Sequence, residues 1–72
     1  VAYNRAGQPQ RVLDLSAPLI ARTPGLAQVH EQRGIAYQAL GQPEQAAWEY
    51  RQALFYAPGL VGAREALARF SP

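Results

Sequence analysis

Shifting the chain against itself by 34 positions brings its punctuation residues into register. Tyr3 falls on Tyr37, Gly7-Gln8-Pro9 on Gly41-Gln42-Pro43, and Pro24-Gly25-Leu26 on Pro58-Gly59-Leu60. Ala2 falls on Ala36 and Glu31 on Glu65 by the same shift. A period of this length marks stacked supersecondary units, each of which buries its apolar side against the next. The matches concentrate at Gly and Pro, where helices stop and start.

Between these marks Ala, Gln, Leu, Arg and Glu dominate, and β-branched residues are too sparse for strands. The chain is therefore expected to be all-α, with helical segments over residues 1 to 6, 9 to 22, 25 to 40, 43 to 56 and 59 to 70. Pro9 and Pro43 suit the first turn of a helix, where a missing N–H costs nothing, and Gly7 and Gly41 suit the left-handed stop before it. Each Gly-Gln-Pro then makes a corner between two helices. In the segment 43 to 56, Ala46, Ala47, Tyr50, Ala53 and Leu54 recur at three- and four-residue spacing, as does Ala57 just beyond it, and together they form one apolar stripe.

Seventy-two residues allow one small domain with a thin core. Disulfides cannot reinforce it, since there is no cysteine, and His30 as the lone histidine argues against a zinc site. Regular helix packing or association must stabilise it. All seven basic residues are arginines, spread from Arg5 to Arg69 and interleaved with Asp14, Glu31, Glu44, Glu49 and Glu65, for a formal charge of +2. That dispersal is not the clustered footprint of a nucleic-acid binder. No apolar run is long enough to span a bilayer, and no signal peptide is evident. The chain starts at Val1 and has no methionine, so it is expected to be part of a longer protein. Its lysine-free, arginine-rich usage points to a GC-rich bacterium, with cytoplasm and periplasm equally open as compartments.

Residues 27–60 resemble a tetratricopeptide repeat. The family pattern W-x2-L-G-x2-Y…A-x3-F…P reads here as His30, Arg33, Gly34, Tyr37, Ala46, Tyr50 and Pro58. Gly34 and Ala46 are small where two helices cross closely, and Tyr37 and Tyr50 fill the space beside them. Two places depart from the pattern. His30 replaces an aromatic, and Arg33 replaces a core leucine and must snorkel or find a carboxylate. Residues 1–26 read as a partial repeat, and 61–72 as the first or capping helix of a following unit. The resemblance implies antiparallel helix pairs stacked as an α-solenoid that works as a protein-interaction module, with no enzyme activity and no cofactor.

The same resemblance implies a groove lined by the first helix of each pair. Its candidate partner-binding residues are Gln28, Glu31, Ile35 and Gln38 of the central repeat, Asn4 and Arg5 before it, and Glu65 and Arg69 after it. This polar, mixed-charge lining suits an extended peptide or protein segment. A second candidate surface is Trp48 with Phe55, seven residues apart on one helix face that the family register turns outward. His30 is expected as a core histidine, and Ser16, Thr23 and Ser71 as local turn or helix-end hydroxyls. Two rival expectations accompany the interaction module. One is self-association through surfaces at Val1, Tyr3 and Ala6; the other is a non-catalytic appendage of a larger enzyme or of a secretion or assembly factor.

Overall fold

A computed structural model of the chain describes residues 8–70. The expected segment 1 to 6, with Gly7, lies outside the described residues, as do the surfaces at Val1, Tyr3 and Ala6. Four helices follow in order: α1 (Pro9–Arg22), α2 (Ala27–Ala39), α3 (Pro43–Tyr56) and α4 (Val61–Ala68). No strand occurs among the described residues.

Both α1 and α3 are 14 residues long and begin on a proline at the first helical position. Gly41 takes φ 73°, a left-handed conformation that glycine adopts without steric cost, so α2 stops there and α3 starts two residues later. The other two connections are copies of each other at the 34-residue offset. Thr23 N–H donates to Leu19 O and Ala57 N–H to Ala53 O, both at 2.8 Å. Leu26 (φ −77°, ψ 85°) and Leu60 (φ −72°, ψ 99°) then precede the next helix in nearly the same extended geometry. The sequence expectation started these helices at Gly25 and Gly59 and ended them at Leu40 and Phe70. They instead run over Ala27–Ala39 and Val61–Ala68, because Pro24-Gly25 and Pro58-Gly59 form turns and each following leucine is still extended.

The principal packing joins neighbours in the chain: α1 on α2, α2 on α3, α3 on α4. His30 meets Tyr56 while Gly34 meets Tyr50, so α2 and α3 run antiparallel. One core gathers Ala46, Tyr50, Ala53, Ala63 and Ala66 between α3 and α4, with Leu60, Leu67 and Phe70 against it. The other joins Val12 and Leu13 of α1 to Ala36 of α2, and Tyr37 touches both. The alanine stripe expected on residues 43 to 56 is the face that α3 buries. Alanines bring these helices close together, which makes Tyr50 the largest fully buried side chain.

Gly34 marks the closest approach. A Cβ built on it would stand 2.7 Å from Tyr50 Cε1 and 2.8 Å from Cζ, far inside contact distance. Any side chain there must push the Tyr50 ring out of its seat.

A candidate binding groove above a buried polar cluster

Since α2 and α4 both lie against α3, a trough of about 360 Å³ runs between them. One wall is Glu31, Ile35 and Gln38, spaced four and three residues apart on a single face of α2. The opposite wall is Gly62, Glu65 and Ala66 of α4 with Arg69 just beyond it, and Tyr50 of α3 forms the floor. Five of the eight predicted groove residues, Glu31, Ile35, Gln38, Glu65 and Arg69, therefore come together. Gln28 does not. It sits in the first turn of α2, whereas the opposite wall begins where Gly62 meets the Glu31 carboxylate. Asn4 and Arg5 lie outside the described residues.

The floor is chemically fixed. Tyr50 Oη donates to Gln38 Oε1 at 2.5 Å. Burial, reinforced by the nearby Glu31 charge and partly offset by Arg69, pushes the Tyr50 hydroxyl up to about 12, so it remains a donor. With its oxygen engaged, the Gln38 amide has its two N–H donors left for another acceptor. Glu31 and Glu65 add carboxylates and Arg69 a guanidinium. Such a lining can pair with peptide carbonyls through Gln38 and with a basic side chain through Glu31 and Glu65. Sequence reasoning gave Tyr50 only a packing role and missed Gly62 and Ala66. The helical spacing of Gly62, Glu65, Ala66 and Arg69 is the signal that would have found them.

Beneath the other side of α2 lies a buried polar cluster that ties α1, α2 and α3 together. Glu49 is 4% exposed. Its Oε2 accepts from Arg33 Nε at 3.0 Å, and its Oε1 pairs with His30 Nδ1 at 2.7 Å. Arg33 also donates to Leu13 O (3.1 Å) and Ser16 Oγ (2.7 Å) of α1. His30 Nε2 faces Pro24 O at 2.8 Å. Both groups facing the imidazole are acceptors, so the contacts are satisfied together when both ring nitrogens carry hydrogen. Of the two outcomes open to Arg33, it therefore takes the carboxylate rather than snorkelling free of one. His30 is buried, stacked on Tyr56 at 5.9 Å, and has both nitrogens occupied. Ser16, expected as a turn or helix-end hydroxyl, instead lies in the middle of α1, where it donates to Leu13 O at 3.3 Å and serves the cluster as an acceptor for Arg33.

Trp48 and Phe55 lie on the solvent side of α3. Trp48 is two positions before Tyr50, which places it roughly 200° around the helix from the groove floor. Phe55 is 75% exposed and meets Tyr56 edge-on at 5.0 Å. Trp48 is also exposed, although one edge of its ring approaches His30 at 6.4 Å. No protein-family model, curated protein or solved structure matches the chain. Among the described residues, no three His, Cys, Asp or Glu side chains gather as a metal site would require, and no helix is long and apolar enough to cross a membrane.

Proposed function

We propose that the chain is a non-catalytic protein-interaction module of the tetratricopeptide type, which holds an extended segment of another protein in the trough between α2 and α4. The observation that carries this reading is the polar lining set on a rigid floor: Tyr50 locks Gln38, and charged side chains face each other across the gap. A peptide backbone offers the carbonyls that the Gln38 amide can reach, and an arginine or lysine on it would sit between Glu31 and Glu65. Further support comes from the residues that carry the family resemblance. Gly34 and Tyr50 are in close contact, Gly41 turns the hairpin, and Pro58 follows the end of α3. The one histidine is fully engaged within the cluster, which favours holding over chemistry.

Selection from a random peptide library on the purified chain tests the reading. Peptides selected in this way should be enriched in basic residues, and Gln38→Ala or Glu31→Ala/Glu65→Ala should weaken them at least tenfold while Trp48→Ala leaves them bound. Loss confined to Trp48→Ala would move the binding surface to the outer aromatic face and sink the groove.

A further inference from the structure

The trough has a direction, because its two walls run the same way and each is antiparallel to α3. On α2, His30 meets Tyr56 and Gly34 meets Tyr50; on the other side Phe70, just past α4, lines a hollow with Pro43 and Glu44 at the start of α3. Glu31 meets Gly62 where α4 begins, so residues equally far along the two helices stand opposite each other: Ile35 with Ala66, and Gln38 with Arg69. Glu31 and Arg69 both act on the Tyr50 hydroxyl, the one raising and the other lowering it, so each is within electrostatic reach of the floor. The lining therefore changes from end to end. Carboxylates come first, from Glu31 and then Glu65; Ile35 and Ala66 are apolar in the middle; the Gln38 amide and the Arg69 guanidinium come last.

These charges are not spent within the chain. Among the described residues the ion pairs are His30–Glu49 and Arg33–Glu49, both in the buried cluster. Arg69 forms none, although Glu65 stands four residues before it, at a spacing that permits a pair on one helix face. Glu31 forms none either, and it sits where it does because position 62 is glycine: a Cβ there would strike its Oε2. A base between Glu31 and Glu65 satisfies only the first end. At the other end a second cation would be repelled, and an apolar residue would strip water from the guanidinium without replacing it. Glu31 and Gln38 are seven residues apart, about 10 Å along a helix, and three residues of extended chain cover about 9 to 10 Å. We infer that the trough selects a dipolar segment, with Lys or Arg between Glu31 and Glu65 and, three residues from it, Asp or Glu on Arg69.

This inference rests on the groove reading and adds to it the second charge and its spacing. Short peptides with blocked ends test it, in a glycine-serine background that is uncharged apart from the residues named, titrated into the isotopically labelled chain and followed by NMR. A peptide with aspartate three residues from lysine should bind at least tenfold tighter than one with asparagine in place of the aspartate, or with aspartate next to the lysine. The shift changes should centre on the Gln38 side-chain amide and Arg69. Arg69→Glu, at an exposed position, should invert the preference: the lysine–aspartate peptide weakens at least tenfold, and a lysine–lysine peptide of the same spacing becomes the tighter binder. Equal binding of the aspartate and asparagine peptides in the trough, or a preference unchanged by Arg69→Glu, would overturn the inference and leave the groove reading standing. Shifts confined to the Trp48 face, or no binding by any of the peptides, would overturn both.

Discussion

Glu49 engages His30 through one carboxylate oxygen and Arg33 through the other, and the Arg33 guanidinium it holds reaches across to α1. Removing the carboxylate leaves the part-buried Arg33 without its counter-charge and His30 Nδ1 without its partner, so Glu49→Ala should cost about 3 to 5 kcal/mol in chemical denaturation. Arg33→Leu combined with Glu49→Leu should recover only the share due to the unpaired guanidinium, since apolar replacement of a buried ion pair is often neutral while His30 Nδ1 still lacks its partner. Gly34→Ala should destabilise by roughly 1 to 3 kcal/mol, because its methyl collides with the Tyr50 ring. Tyr50 also leaves a signature in alkali. Its hydroxyl titrates at about 12 in the folded chain against 10.0 ordinarily. Within that window the unfolded chain loses the proton first and the folded chain binds more, so Tyr50's contribution to stability is complete below pH 10 and declines towards pH 12. A spectrophotometric titration should show one of the four tyrosines ionising late, and Tyr50→Phe should remove that step. Sequence alone left Arg33 two outcomes, to snorkel or to find a carboxylate, and did not name the carboxylate. Arg33 and Glu49 stand eight residues either side of Gly41, so they meet only if the chain turns at Gly41 and the two helices pack along their length. That is a fact of packing rather than of local pattern.

At the scale of elements, the corners were the most legible feature. Pro at the first helical position and glycine at positive φ act through local sterics, which sequence exposes directly. The helix starts after Pro24-Gly25 and Pro58-Gly59 were read two residues early, because Leu26 and Leu60 have helical propensity yet are held extended by the turn. Pro18 is the one element-level conflict. It lies inside α1, exposed, where the counterpart on α3 is Gln52. An interior proline removes a backbone hydrogen bond at a cost of about 3 kcal/mol, offset in part by its restriction of the unfolded chain, so Pro18→Gln should gain about 2 kcal/mol. Thermal melts of the two chains decide it; an unchanged or lower midpoint would mean that α1 depends on the proline.

For the molecule as a whole, the faces expected to line a groove came from the family resemblance and not from the offset alone, and five of the eight side chains named for it line the trough. Where the trough begins was not legible, because that depends on where α4 lands against Glu31, and Gln28 falls short for that reason. The floor was hidden for a related reason: Tyr50 serves the core and the groove from one position, and a periodic pattern records only the first. The packing of each helix chiefly on its neighbours in sequence has a temporal consequence. Contacts close over short stretches of chain, which favours rapid folding and permits the ends to open while the middle holds. The α2–α3 hairpin, flanked on both sides and pinned by Glu49, should exchange its amide hydrogens most slowly. The eight-residue α4 should exchange fastest among the described helices, so the groove loses one wall before the scaffold melts. A peptide bound there would act as a splint, slowing exchange in α4 more than anywhere else.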